Sequence, residues 1–128
     1  METRKFVFTI SHAGTNPMEA IGIFKIASNM KAFDDSIDVA VFLLAEGVQL
    51  AKNGYAKTIS MEMEGKQVNV GELLEMMIEL GVKFYVCHAF MPGFGVAHDD
   101  LVENAEPKSS AFLGELLLDG YTPFSLSI

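Results

Sequence analysis

The chain of 128 residues contains a single cysteine, Cys87. That excludes an intramolecular disulfide and a zinc site built from several thiolates. Any chemistry at this thiol must be completed by a substrate or by a second protein. Cations are also few: nine Lys and Arg stand against seventeen Asp and Glu, for a formal charge of −8. They are scattered rather than gathered into a block that neutralises a run of phosphates, so direct nucleic-acid binding is not expected. Long apolar runs are missing as well. Phe6 to Ile10, although preceded by Arg4 and Lys5, is far short of a signal-peptide core, and nothing approaches the ~18 apolar residues of a membrane span. "SHAGTNP", residues 11 to 17, has one glycine and no lysine, so neither a phosphate loop nor a dinucleotide fingerprint is present. The expectation is a soluble protein of a reducing compartment, the cytoplasm, with no membrane contact.

What the chain has in abundance is apolar material. Half the residues are hydrophobic, including ten Phe and eight Met, and the mean hydropathy is +0.29. This exceeds what a compact single domain of this length needs for its own core, so part of it is expected to face another subunit.

The order of elements follows from periodicity and punctuation. Phe6 to Ile10 reads as a buried strand. Asn16, Pro17 and Glu19 have the spacing of a helix start with a capping box, opening a helix to about Ala32 with Ile21, Phe24, Ala27 and Met30 at helical spacing. "SIDVAVFLLA", residues 36 to 45, is a nearly continuous apolar strand, the kind covered on both faces in a parallel sheet. "AEGVQLAKNG" then reads as a short helix, and "TISMEMEGKQVNV" as a small hairpin or flap around Glu64 to Lys66. Asn69 and Glu72 repeat the capping spacing at the head of a helix that Gly81 closes. Val82 to about Cys87 is a further strand. "HDDLVENAE" is expected to make one or two helical turns, Ser109 or Ser110 to cap a helix through Leu118, and "YTPFSLSI" to be a last strand, placed at an edge by Pro123. This alternation predicts one α/β domain, a layered sandwich with a mainly parallel sheet of four to five strands.

Ligand sites in such sheets gather beyond the carboxyl ends of the strands. Three segments qualify: "SHAGTNP", "AEG" at residues 45 to 47, and "CHAFMPGFGVAH" at residues 87 to 98. Cys87 is the candidate nucleophile, because a thiolate near a cation or a helix start reacts readily; the competing reading is a small buried hydrophobe. His88 follows it directly, and His12 ends the first strand; either is a candidate orienting group. Cys87, His88, His12 and His98 together have the ligand types of a zinc or copper site, but their spacing matches no ligand motif, so no metal or cofactor is expected. Glu46 beside this rim is sufficiently explained as a carboxylate at a helix start, and anion binding at the start of the first helix is only weakly signalled.

Three stretches, "KFVFTISHAGTNPMEAIGIFKIASNM", "DVAVFLLAEGVQLAK" and "LLEMMIELGVKFYVC", make the chain resemble the DsrE/DsrF-like (TusD-like) family of small sulfur-relay proteins over nearly its whole length. Gly81 and Val82 followed by Cys87 are similar to the segment bearing the sulfur-accepting cysteine in active members. The resemblance implies a three-layer α/β/α sandwich fold and assembly into a homotrimer or homohexamer. It also implies a sulfur carrier or sulfurtransferase-like role, with sulfane sulfur held as a persulfide on Cys87 between a donor and an acceptor protein. A non-enzymatic oligomeric binding or scaffold protein with a structural cysteine is the alternative.

Overall fold

The computed structural model describes residues 4–126. Five strands form one sheet: β1 (Lys5–Ile10), β2 (Asp38–Leu43), β5 (Lys83–Cys87), β6 (Ala105–Lys108) and β7 (Thr122–Phe124), in the order β6-β5-β2-β1-β7. Every neighbouring pair is parallel. β1 and β2 therefore lie inside the sheet, which is why they read as unbroken apolar runs, and Pro123 stands on an edge strand as expected. The shorter β3 (Ser60–Met63) and β4 (Lys66–Asn69) make a separate antiparallel hairpin. Glu64 and Gly65 both take positive φ at its tip, the backbone of a tight two-residue hairpin turn.

Alternation along the strands sorts the side chains into two cores of unequal size. Phe8, Ile10, Val39, Val41, Leu43, Phe84 and Val86 face α1 (Pro17–Phe33) and α2 (Val70–Glu79) and form the large core with Ile21, Phe24, Leu74 and Met77. Phe24 and Phe84 meet edge to face there, with ring centroids 6.0 Å apart. The other face carries Val7, Ala40, Phe42 and Cys87, and α3 (Ser110–Leu118) covers it through Leu116, with Phe112 and Leu113 partly buried. The layers are therefore two helices, one sheet and one short helix.

Two expectations are corrected. "HDDLVENAE" forms no helix: a turn closes from Ala97 to Asp100, Leu101 bridges Lys52, and Asn104 enters the left-handed region at φ 67° to start β6. Backbone pairing with the exposed edge of β5 outweighs the local polar pattern, and the strand's Pro107 is tolerated because β6 is itself an edge. The stretch after β2 is a 3₁₀ helix, Ala45–Ala51, rather than an α-helix. α2 forms as expected, with the Asn69 side chain accepting the Glu72 N–H at 3.1 Å and Gly81 at φ 81° ending it.

Gly47 fixes how closely the 3₁₀ helix docks on the end of β1. A Cβ at this position would run into the Ile10 carbonyl, which is backbone and already accepts the Leu44 N–H at 2.9 Å. Gly47→Ala is therefore expected to cost about 1–3 kcal/mol of stability, read as a lower midpoint in urea unfolding with an unchanged m-value.

Candidate functional site

The loops at the carboxyl ends of β1 and β2 are held together by two carboxylates. Glu19, in the first turn of α1, is only 4% exposed. Its Oε1 accepts the N–H groups of Ser11 at 2.9 Å and His12 at 2.8 Å, and its Oε2 accepts the Ser11 hydroxyl at 3.3 Å. The capping box expected from Asn16 and Glu19 is thus not made. The Asn16 side chain caps nothing, and Glu19 turns back to satisfy the loop that precedes it. The spacing that suggested a cap was real, but the chain's reversal at Ala13 to Asn16 brings two unpaired loop amides within reach, and these take the carboxylate. His12, the candidate orienting group, sits on this carboxylate, its Nδ1 3.4 Å from Glu19 Oε1 and 3.3 Å from the Ser11 hydroxyl.

Glu46 performs the matching task from the other strand. Its Oε1 accepts the Ala13 N–H at 2.7 Å and the Thr15 hydroxyl, so it ties the β1–α1 loop to the end of β2. Partial burial opposes its ionisation, but the bonds from Thr15 and Ala13, with His12 nearby, outweigh it and hold the carboxyl below its ordinary range. Left-handed Ala45, at φ 49°, precedes it. Glu46 stands in the first turn of the 3₁₀ helix, as read from sequence, and bridges the loop in addition. The signal for this bridge was the proximity of "AEG" to the strand end, without any sign of the partner.

Cys87 lies at the carboxyl end of β5, where the sequence placed it, but its side chain belongs to the thin apolar core. It is 1% exposed and clusters with Val7, Ala40, Phe42 and Leu116. His88 is exposed and opens the 3₁₀ turn His88–Phe90, followed by the turn Pro92–Phe94. Met91, wholly buried between them, anchors this segment in the large core, and the Gln49 side chain donates to the Phe94 carbonyl at 3.3 Å. β2 separates β1 from β5, so His12 and Cys87 stand on non-adjacent strands. His98 is exposed in the following loop. Among the described residues no three His, Cys, Asp or Glu side chains gather as a metal site would require.

The sequence reading missed Lys108. β6 pairs with β5 so that Lys108 stands beside Cys87, and register partners in a parallel sheet share a face. The Lys108 ammonium lies 4.6 Å from the Phe112 ring centroid and 3.2 Å from a Glu106 oxygen. Without β6 in the predicted topology, nothing in the sequence linked positions 87 and 108. A cavity of about 220 Å³ lies elsewhere, among Lys52, Ala56, Lys57, Leu74, Ile78 and Val102, and none of the candidate site residues lines it.

Two substitutions check the carboxylate seal. Glu19→Ala leaves two backbone N–H groups unpaired and is expected to cost roughly 2–4 kcal/mol in urea unfolding. For Glu46 the folded carboxyl titrates below its unfolded value near 4.5. Its ionised form therefore contributes stability that is fully present above about pH 5.5 and lost as pH falls through the folded value. Glu46→Gln should accordingly be less stable than the parent at pH 7, with the gap closing toward pH 3.

The profile of the DsrE/DsrF-like family matches residues 4–125. No curated protein sequence matches the chain significantly. Among solved structures, the YchN protein from E. coli is similar with a TM-score of 0.77 and 18% identity, covering 95% of this chain and all of that one. MTH1491, a protein of unknown function from Methanobacterium thermoautotrophicum, is similar with a TM-score of 0.72 and 19% identity, over 94% of this chain and 97% of its own. At these identities the likeness speaks for the fold. With the family profile spanning nearly every described residue, the chain belongs to the DsrE/DsrF-like family.

Proposed function

We propose that this protein is a homo-oligomeric sulfur carrier that accepts sulfane sulfur as a persulfide on Cys87 and passes it to a partner protein. The observation that carries the reading is the position of the only cysteine. Cys87 is the last residue of a strand within a parallel sheet of the DsrE/DsrF-like fold, with the ammonium-bearing Lys108 beside it. One thiol is sufficient for this chemistry. The Cys87 thiolate attacks the outer sulfur of a donor persulfide, a new sulfur–sulfur bond forms at Sγ, and the donor's own sulfur–sulfur bond breaks with its electron pair leaving on the donor thiolate. Attack by an acceptor thiolate on the outer sulfur then releases the Cys87 thiolate, so neither step consumes an oxidant or a reductant. Lys108 provides a positive charge where the anionic persulfide is held, and His88, exposed at the adjacent turn, is the group best placed to meet an incoming partner.

Burial of the thiol means that transfer requires an opening of its cover. That cover is α3, whose Leu116, Phe112 and Leu113 cluster with the thiol and whose first turn carries no side-chain cap; the segment His88–Phe94 packs instead through Met91 into the large core. The same burial supports a second reading, a scaffold protein in which Cys87 only packs against Phe42 and Leu116.

Both readings are tested on the intact protein. Incubation with a low-molecular-weight persulfide should add one sulfur atom to the mass of the parent and none to Cys87→Ser; a parent that never gains sulfur would sink the carrier reading. Native thiol labelling should run about 100-fold slower than in the denatured chain, as expected of a thiol reached through local opening. Labelling that proceeds only with global unfolding would favour the scaffold.

A further inference from the structure

The cavity of about 220 Å³ lies between one face of α2 and the turn that follows the 3₁₀ helix Ala45–Ala51. Gly71, Leu74, Glu75 and Ile78 recur at helical spacing and form its α2 wall. The facing wall is made by residues of the segment Lys52–Lys57 with Val102 and Glu103. Main-chain contacts hold both walls in place. At one end the helix lies so near the turn that a Cβ on Gly71 would stand 2.7 Å from Lys57 Cα, and the Asn69 side chain donates to the Lys57 carbonyl at 2.9 Å. Val102 N–H donates to the Ala51 carbonyl at 2.8 Å and Asn53 N–H to the Asp100 carbonyl at 3.1 Å, with Lys52 bridging Leu101 between them. A cavity walled in this way exists before any ligand arrives, so little ordering opposes binding.

The lining divides by polarity. Ala56 and Leu74 are buried, at 3% and 4% exposure, and Ile78 and Val102 are half-buried, so these four make an apolar floor. The charged groups of the lining are not equivalent. Lys57 and Glu75 join the two walls at 2.8 Å and neutralise one another, and Glu103 is exposed to water. Lys52 is half-buried, and among the described residues no carboxylate lies within 4 Å of its ammonium, although acids outnumber cations seventeen to nine. A cation that has lost part of its hydration gains most from an anion brought to it. We propose that this cavity binds a small monocarboxylic acid with a compact apolar body, the body resting on Ala56, Leu74, Ile78 and Val102 and the carboxylate on the Lys52 ammonium. A dry cavity of about 150 Å³ holds benzene, so 220 Å³ accommodates a ring or a short alkyl chain together with its carboxylate. The formal charge of −8 repels anions at a distance, and selection of an acid therefore depends on this one contact.

Leu74 belongs to the large core and Cys87 to the thin one, so the site is on the side of the sheet away from the thiol and does not rest on sulfur transfer. Cys87→Ser should bind the acid as the parent does. The test is amide NMR of the isotope-labelled full chain, titrated with phenylacetate and hexanoate and with the corresponding uncharged amides. At least one acid should shift the amides of Lys52, Ala56, Leu74 and Val102 in a saturable way, with a dissociation constant of about 1 mM or below. Its amide should bind about 10-fold more weakly. Lys52→Met, which keeps the apolar stem, should bring the acid down to the level of the amide, and Lys52→Arg should keep the preference. Val102→Phe, which fills the cavity from a half-buried position, should weaken acid and amide alike. Saturable shifts with neither acid, shifts centred elsewhere on the chain, equal binding of acid and amide, or a folded Lys52→Met that binds the acid as the parent does would each overturn the proposal.

Discussion

A parallel sheet has no side that is content in water, and here the two sides are covered by very different amounts of protein. α1 and α2 with their attached loops supply the large core, where four phenylalanines, Phe8, Phe24, Phe42 and Phe84, account for the bulkiest wholly buried side chains and all but Phe42 lie on this side. The opposite side is closed by nine residues of α3. Phe42 and Cys87 are dry only because Leu116, Phe112 and Leu113 sit over them. Everything distinctive about the molecule follows from that inequality: the thiol is on the thin side, and the helix that covers it has apolar residues left over on its outer surface.

The thick side and the strand ends above it are, by contrast, sealed from within. Glu19 and Glu46 occupy the amides of Ser11, His12 and Ala13, the groups an incoming anion would otherwise find at the head of α1. The loop is thereby made rigid and negatively charged rather than receptive to phosphate, which agrees with its lack of a lysine and of spaced glycines. Gly47 is the steric condition for this arrangement, since the 3₁₀ helix carrying Glu46 reaches the loop only by lying directly on the Ile10 carbonyl.

These particulars also mark what the sequence made legible. Strand runs such as "VAVFLL" and the Asn69–Glu72 spacing announce structure because the forces behind them are local: continuous burial and one side chain capping one amide. The placement of Cys87 at a strand end followed from the same reasoning. Which face its side chain takes was not legible, because that depends on strand parity counted from a boundary that moved from Val82 to Lys83. β6 was invisible for a related reason. "AEPK" has no strand propensity of its own and is held in the sheet by the open edge of β5, a partner distant in sequence. Losing β6 meant losing Lys108 as a neighbour of the thiol. Glu19 shows the opposite failure, a correct spacing read with the wrong partner.

The thin side sets a mechanical condition on any chemistry at Cys87. α3 is fastened at the end remote from the thiol: Tyr121 donates to Asp38 at 2.6 Å, and Lys5 binds Asp119 at 3.2 Å while lying 5.6 Å from the centre of the Tyr121 ring. Burial and the bond to Asp38 raise the Tyr121 phenol well above its usual range, so it keeps the proton it donates at neutral and moderately alkaline pH. At the end near Cys87 no side chain caps the helix, and Ser109 donates only its place in the chain. A helix secured at one end and uncapped at the other opens, when it opens, at the free end. Displacement of its first turn therefore uncovers Cys87 and Lys108 together while the carboxyl-terminal latch and the large core stay in place. Access to the thiol then costs a local rearrangement and not the fold.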